Sequence, residues 1–172
     1  MNPCVFMDRD GVLNEERGEY TFLPELFIIR PGVPEALSTL KNLGYKLIVI
    51  TNQSGLSKNI FTREQMEACH MNLHRKTNYL IDDIFYSPYN PEVTESLSRK
   101  PGTLLFERAI AIHKIDASRS WMIGDSDRDM IPAMKLGIRT IFVGPPQKFP
   151  AVNASAPGLP ECMGIITSYP VP

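Results

Sequence analysis

The residues that point most directly to chemistry are two carboxylates one position apart. Asp8 and Asp10 follow the apolar residues 5–7 and are followed at once by Gly11. This pattern predicts a buried strand that delivers both carboxylates to the open edge of a sheet. Two neighbouring carboxylates repel each other, so they need a cation, a proton or both to share a site. A chance DxDG turn is the alternative, and the residues at the ends of later strands must decide between the two.

Three later positions carry side chains that could form one site together with the two carboxylates. Thr51 follows the apolar stretch 45–50, and Asp125 follows the apolar stretch 121–123 with one glycine between. Lys100 stands just before the predicted amino terminus of a helix. Because ligands of doubly wound sheets bind beyond the carboxyl ends of the strands, we expect these side chains to converge.

These residue types suit the transfer of a phosphoryl group. A phosphate cannot approach several aspartates without a cation, and hard oxygen ligands in an incomplete cage favour Mg²⁺. Asp8 is then the nucleophile that forms an aspartyl-phosphate, and Asp10 protonates the leaving alcohol and later activates water. Thr51 and Lys100 hold the phosphoryl oxygens as their charge redistributes.

The rest of the chain alternates between strand and helix patterns, which predicts the scaffold for this site. Predicted strands cover 5–7, 45–50, 84–86, 121–123 and 139–143, and predicted helices run from about 31 to Gly44, from the capping box Thr62–Gln65 onward, and over 103–113. A further helix has Pro132 in or near its first turn. The strand–helix–strand order indicates an α/β fold, a three-layer Rossmann-like sandwich with a mostly parallel sheet and no large cap domain.

Length and composition bound the organisation of the chain. The 172 residues predict one domain over 1–172, with a core of about 3–144 and a proline-rich, extended tail over about 145–172 that holds one edge strand at 164–166. The net charge of −1 gives no sign of the basic surface that binds nucleic acid or an anionic membrane. Three scattered cysteines form no disulfide framework, and the amino terminus shows no targeting signal. We therefore expect a cytoplasmic protein without nucleic-acid or membrane partners, and a monomer is the favoured oligomeric state.

Four motifs together resemble a known family. Residues 8–11 read DRDG, 51–55 read TNQSG, 99–101 read RKP, and 124–129 read GDSDRD. In this order, at these strand and helix ends, they resemble the haloacid dehalogenase superfamily of phosphatases over about residues 3–144. The exact residues of the DRDG, TNQSG and RKP motifs resemble those of one branch of this superfamily, the histidinol-phosphatases and D-glycero-D-manno-heptose 1,7-bisphosphate 7-phosphatases.

The resemblance implies a role for each matching residue. It makes Asp8 the nucleophile and Asp10 the acid and base, and it places Mg²⁺ among Asp8, Asp10 and Asp125, with Asp10 contributing its backbone carbonyl. Asp129 and Ser126 are then expected to hold the site residues in position without contacting the substrate themselves. Substrate contacts are predicted for Asn52, Gln53, Ser54, Arg99 and Arg17, although Arg17, like Lys58, is equally well explained as a solvated surface charge.

One departure from the branch concerns the loop before the RKP motif. Members commonly hold a structural zinc there through a Cys-x-His and a Cys-x-Cys pair, but this chain has Ser87 and Tyr89, then Ser96 and Ser98. None of these is a usual zinc ligand, so we expect no zinc and a shorter, differently packed loop.

Several functions remain open at this point. The best single expectation is a magnesium-dependent phosphatase of a small metabolite, with D-glycero-D-manno-heptose 1,7-bisphosphate as substrate and histidinol phosphate as runner-up. A non-catalytic module that binds a phosphorylated ligand is the second class. A nucleic-acid 3′-phosphatase is the third, and the missing basic surface argues against it.

Overall fold

The computed structural model describes residues 1–145 and 152–169, and its centre is a sheet in which all neighbouring strands are parallel. Its six strands are β1 (Cys4–Met7), β2 (Lys46–Asn52), β3 (Asp83–Ser87), β4 (Trp121–Gly124), β5 (Arg139–Val143) and β6 (Ala154–Ala156). They lie in the order β3-β2-β1-β4-β5-β6. The order reverses between β1 and β4, which is where ligands bind in such sheets.

Five helices connect or follow the strands in the described residues. They are α1 (Val33–Asn42), α2 (Arg63–Lys76), α3 (Leu104–His113), α4 (Asp127–Lys135) and α5 (Leu159–Ser168), with single 3₁₀ turns at Pro24–Leu26 and Ala117–Arg119. The predicted capping box is present, since the Thr62 hydroxyl accepts from the Gln65 amide while the Gln65 side chain accepts from the Thr62 amide. None of these helices is long and apolar enough to cross a bilayer.

The sheet separates two apolar cores, which confirms the predicted three-layer sandwich. Successive side chains of a strand point to opposite faces. Accordingly Val5 and Met7 of β1 pack in the core that contains apolar residues of α1, α2 and α5. Cys4 and Phe6 pack in the core that contains apolar residues of α3 and α4.

The segment after β5 differs from the prediction. Residues 164–166 lie inside α5 and form no edge strand, and the edge strand is β6 instead. Pro160 is accommodated in the first turn of α5, and Leu159, Cys162 and Ile166 keep a helical spacing that buries one side against the sheet. The extended tail is therefore wrong for the described residues 152–169, while 146–151 and 170–172 lie outside the described part.

Pro132 lies further into its helix than the first turn. α4 begins at Asp127, so Pro132 occupies its second turn. The start is fixed by a second capping box, in which the Ser126 hydroxyl accepts from the backbone and Asp129 accepts from the Ser126 amide. This cap also fixes the position of Asp129, which bears on the site.

Candidate active site

The carboxyl end of β1 carries Asp8. Its backbone amide donates to the Ile123 carbonyl of β4 at 3.0 Å, so the strand pairing continues up to the site. Gly11 then turns the chain with a φ of 81°, and a Cβ at this position would collide with the Asp125 carboxylate. Glycine is therefore required here both for the turn and for the approach of Asp125 to Asp8.

Lys100 is the cation at the centre of the site, and it is buried. Its Nζ lies 2.5 Å from Asp129 Oδ1 and 2.9 Å from Asp8 Oδ1, and it donates to the Ile50 carbonyl at 2.7 Å. Burial alone would lower the pKa of Lys100, but the carboxylates of Asp129 and Asp8 outweigh it and raise the pKa. The ammonium is thus charged and held in one place.

Asn52 fixes the backbone of Lys100. Its side-chain amide donates to the Lys100 carbonyl at 3.1 Å, and its Oδ1 accepts from the Lys100 amide at 3.0 Å. Both halves of the Asn52 amide are occupied by this pair. In this structure Asn52 therefore positions the lysine, and its predicted contact with substrate stays a prediction.

Three carboxylates crowd together beside Lys100. Asp8, Asp125 and Asp129 each place an oxygen within 4.8 Å of the others. Burial, followed by the charge of Asp129, raises the pKa of Asp8 to about 7. Burial, followed by the charge of Asp8, raises the pKa of Asp125 to about 6. Negative charge is thus in excess here, and the hard oxygen donors suit a divalent cation.

Asp10 is not a member of this cluster and is held by Arg9. The Arg9 guanidinium donates to both Asp10 oxygens at 3.1 Å, and Asn14 and Gln53 donate to the same carboxylate at 2.9 and 3.2 Å. Burial would raise the pKa of Asp10, but Arg9 outweighs it and the pKa is lowered. Arg9 was not among the predicted site residues, although its position between two aspartates indicates an ion pair with one of them.

Arg9 also connects the site to the segment 15–23 that follows the DRDG motif. The buried guanidinium donates to the Thr21 carbonyl at 3.1 Å and lies 5.3 Å from the centre of the Phe27 ring. On the other side, Gln53 donates to Thr51 Oγ1 at 2.9 Å. One hydrogen-bonded chain therefore runs from Thr51 through Asp10 to the loop.

An aromatic cluster fastens the same segment across the site. Phe22 stacks on Phe61 at a centroid distance of 5.5 Å, and Tyr20 meets the edge of Phe61 at 5.8 Å. The Tyr20 hydroxyl lies 3.1 Å from the Ser54 hydroxyl. Phe61 fits only because Gly55 has no side chain, since a Cβ there would collide with the ring.

These elements enclose a cavity of about 480 Å³. The predicted residues that line it are Asp8, Asp10, Thr51, Asn52, Gln53, Ser54, Arg99, Lys100, Asp125, Ser126 and Asp129. Arg17 is absent from the lining, whereas Arg9, Glu16, Glu19, Lys58 and Arg128 belong to it. The four motifs therefore meet at one place, and the additional charges come from loops and from the first turn of α4.

The chain is similar in sequence to known proteins. A sequence model described as haloacid dehalogenase-like hydrolase matches residues 18–143. The chain belongs to this family. The D-glycero-beta-D-manno-heptose-1,7-bisphosphate 7-phosphatase of Helicobacter pylori is 34% identical over 142 residues, which cover 80% of each chain. The histidine biosynthesis bifunctional protein HisB of Campylobacter jejuni is 34% identical over 81% of this chain and 41% of its own.

A solved structure agrees with the fold of this haloacid dehalogenase-like hydrolase. The D,D-heptose 1,7-bisphosphate phosphatase from B. bronchiseptica, complexed with magnesium and phosphate, superposes with a TM-score of 0.88 at 25% identity, over 97% of this chain and 99% of its own. The predicted family, its branch and the enzyme class of phosphatase are confirmed by these relatives.

The loop before the RKP motif is tied together by hydroxyl groups in this family member. The buried Ser87 hydroxyl lies 3.1 Å from that of Ser98, which in turn lies 2.9 Å from that of Ser96. These are three of the four positions at which members of the branch commonly place zinc ligands. Here they form a hydrogen-bonded serine cluster that joins the end of β3 to the residues just before Arg99.

Proposed function

We propose that this phosphatase hydrolyses the 7-phosphate of a D-glycero-D-manno-heptose 1,7-bisphosphate. The observation that carries the chemistry is the contact of Lys100 with both Asp8 and Asp129, next to Asp125, at the switch point of the sheet. The names of the relatives support the substrate. The cavity of about 480 Å³ lies within the usual range for small-molecule sites, and its polar lining suits a sugar phosphate.

In the first step an Asp8 oxygen attacks phosphorus and the sugar oxygen leaves with a proton from Asp10. Lys100, whose Nζ lies 2.9 Å from the Asp8 oxygen, and the Thr51 hydroxyl would stabilise the charge of the phosphoryl oxygens. Mg²⁺, held by the Asp8 and Asp125 carboxylates and the Asp10 backbone carbonyl, would neutralise the phosphate and the crowded carboxylates. The fit of this ion rests on the excess of negative charge in the cluster.

In the second step water attacks phosphorus while Asp10 accepts a proton from the water. The bond from phosphorus to the Asp8 oxygen breaks, inorganic phosphate leaves and the Asp8 carboxylate is restored. Arg9 keeps Asp10 ionised, which is the form that this step needs. To act as the acid in the first step, Asp10 takes up a proton from solvent, which the negative charge of the bound phosphate dianion favours. The direction in which Arg9 and Gln53 hold the carboxylate sets the path of both proton transfers.

Histidinol phosphate is the second candidate substrate. It is favoured by the similarity to HisB and by Glu16 and Glu19, which line the cavity and suit an ammonium group. The two candidate substrates require opposite charges at the rim. The second phosphate of the bisphosphate needs a positive charge, whereas the ammonium group of histidinol phosphate needs a negative one.

A phosphate-release assay with and without Mg²⁺ tests the proposal. The substrates are the heptose 1,7-bisphosphate, the heptose 7-phosphate, histidinol phosphate and a 3′-phosphorylated oligonucleotide. We expect the highest kcat/KM for the bisphosphate, with loss of the 7-phosphate seen by phosphorus NMR. A higher kcat/KM for histidinol phosphate would overturn the assignment of substrate, and binding of sugar phosphates without any phosphate release would overturn catalysis.

Further parts of the proposal concern the composition and setting of the enzyme. A single domain without zinc, a monomer, a cytoplasmic location and the lack of a nucleic-acid partner stay predictions. Metal analysis of the purified protein and light scattering measure the zinc content and the oligomeric state directly.

A further inference from the structure

Gln53 is a buried residue whose side chain lies between two groups of the proposed mechanism. It is 2% exposed, and its backbone amide donates to the Ser87 carbonyl at 2.7 Å, which continues the pairing of β2 with β3. Its side-chain nitrogen lies 2.9 Å from Thr51 Oγ1 and 3.2 Å from Asp10 Oδ2. One rigidly held amide therefore links the residue that faces the phosphoryl group to the residue that transfers protons.

The chemistry of the two partners decides which atoms donate. The Asp10 carboxylate, which is paired with Arg9, only accepts hydrogen bonds, so the Gln53 group that faces it is the NH₂ group. An amide NH₂ group has two hydrogens, and Asp10 and Thr51 are two acceptors at hydrogen-bond distance. Thr51 Oγ1 thus accepts from Gln53, and its own hydrogen stays available for another acceptor.

The hydroxyl hydrogen of Thr51 is uncommitted, unlike the hydrogens of Lys100. Among the described residues, Gln53 is the one hydrogen-bond partner of Thr51 Oγ1, and Thr51 lines the cavity. The Lys100 ammonium has three hydrogens, and three protein oxygens lie 2.5 to 2.9 Å from it. A phosphoryl group beside Asp8 therefore finds its free hydrogen-bond donor at Thr51, while Lys100 supplies positive charge.

We infer that Gln53 is a positioning residue that makes the Thr51 hydroxyl a hydrogen-bond donor to the phosphoryl group and holds Asp10 for proton transfer to the leaving group. This inference rests on the proposed function, because it requires the roles proposed there for Thr51 and Asp10. Both amide hydrogens of Gln53 are used within the protein, so this role differs from the substrate contact expected from the sequence.

The two effects of Gln53 depend differently on the leaving group. A sugar alkoxide is a poor leaving group that needs a proton from Asp10, whereas a nitrophenolate leaves without one. Both kinds of phosphate need a donor to the phosphoryl oxygens, which Thr51 supplies. Loss of the Gln53 amide therefore costs more activity with a sugar phosphate than with nitrophenyl phosphate. A merely structural role would cost the same with both.

Gln53→Met tests this role, because methionine keeps the length of the side chain and has no N–H donor. The measurement is kcat/KM for the heptose 1,7-bisphosphate and for nitrophenyl phosphate. We expect a fall of roughly 100-fold for the sugar phosphate and of about tenfold for the aryl phosphate. Equal losses for the two substrates, or no loss for either, would overturn the role of Gln53.

Thr51→Val, alone and combined with Gln53→Met, tests whether Gln53 acts through Thr51. Valine has nearly the shape of threonine and lacks the hydroxyl group. With nitrophenyl phosphate, Gln53→Met lowers kcat/KM less than about twofold in the Thr51→Val background, because no hydroxyl remains to be oriented. A further loss as large as in the wild-type background would show that Gln53 does not act through Thr51.

Gln53→Glu is a second variant that keeps the size of the side chain, which guards against a folding defect of Gln53→Met. We expect the same difference between the two substrates, since a carboxylate repels Asp10 and does not donate to it. Wild-type activity of Gln53→Glu with both substrates would overturn the role of the amide.

Asn59→Asp is the matched control. It makes the same change from amide to carboxylate in the same loop, at an exposed residue that does not line the cavity. Aspartate tolerates the left-handed conformation of Asn59, whose φ is 54°. A loss as large as in Gln53→Glu would assign the effect to the charge of the loop and overturn the role of Gln53. A wild-type enzyme that releases no phosphate from either substrate would overturn the proposed function itself.

Discussion

The floor and the rim of the cavity are built in different ways. The floor consists of Lys100 and the carboxylates around it, with Lys100 2% exposed and Asp129 fully buried. The rim consists of the segments 15–23 and 87–98, where Tyr20 is 36% and Val93 68% exposed. Lys100, Asp8 and Asp129 in the floor each have at least two polar contacts. The rim is held by aromatic packing and hydroxyl groups. We therefore propose that the reaction depends mainly on the floor and that the rim contributes to the choice of substrate.

Asp8→Asn tests the floor most severely. Loss of the nucleophile lowers the rate of phosphate release in Mg²⁺ at least about 1,000-fold. The fold persists, since the amide keeps its size and one negative charge leaves the crowded cluster. Full activity in this variant would contradict the covalent route. Asp127→Asn serves as control, because Asp127 is exposed at the start of α4 and does not line the cavity.

Asp129→Asn tests whether Asp129 positions Lys100, a role distinct from the nucleophilic attack proposed for Asp8. It leaves Lys100 with one carboxylate partner in place of two. We expect a loss of activity of roughly 100-fold. The free energy of unfolding measured in urea falls by about 3 kcal/mol, as for other broken buried ion pairs. Unchanged stability would mean that the ion pair with Asp129 does not hold the lysine.

Gly55→Ala tests the aromatic packing that holds the rim. The added Cβ collides with the Phe61 ring and loosens its contacts with Phe22 and Tyr20. Because this misplaces the segment over the cavity, kcat/KM falls about tenfold. The melting temperature falls as well, because overpacking a buried ring costs about 1–3 kcal/mol. Gly164→Ala is the control, since a Cβ there meets open space in α5. A loss of the same size in both variants would argue against a role of the aromatic cluster.

His70 gives the smallest effect, and it concerns stability rather than catalysis. Burial, aided by the charge of Arg9, lowers the pKa of His70 to about 3. Below pH 6.5 the unfolded chain therefore binds a proton that the native state excludes, so the contribution of His70 to stability decreases as the pH is lowered. At pH 5 this contribution is about 2 kcal/mol less favourable than at pH 8.

His70→Met removes this acid sensitivity, which urea unfolding at pH 5 and pH 8 measures. His74→Gln, one turn further along α2, is the control. If the free energy of unfolding changed equally between pH 8 and pH 5 in wild type and in His70→Met, the pH dependence would be due to other groups.

The floor was predictable from the sequence for a physical reason. Apolar runs mark the buried strands, and residues that directly follow such runs must lie at the carboxyl edge of a parallel sheet. Asp8, Thr51 and Asp125 are of this kind, and their positions lie where the motifs placed them.

The rim and the end of the chain were less accessible, because they depend on contacts between segments far apart in sequence. The stacking of Phe22 on Phe61 requires the fold to be known. α5 was mistaken for a strand, since the short apolar run 164–166 fits either element, and only its packing in the core with α1 decides the matter.

The serine cluster has a consequence for chemical durability. Ser87, Ser96 and Ser98 join the loop to the end of β3 through hydroxyl groups. A hydroxyl neither oxidises to a disulfide nor changes its charge between acid and alkaline conditions. The loop that precedes Arg99 is therefore fastened by bonds that are insensitive to peroxide, to thiol reductants and to moderate changes of pH.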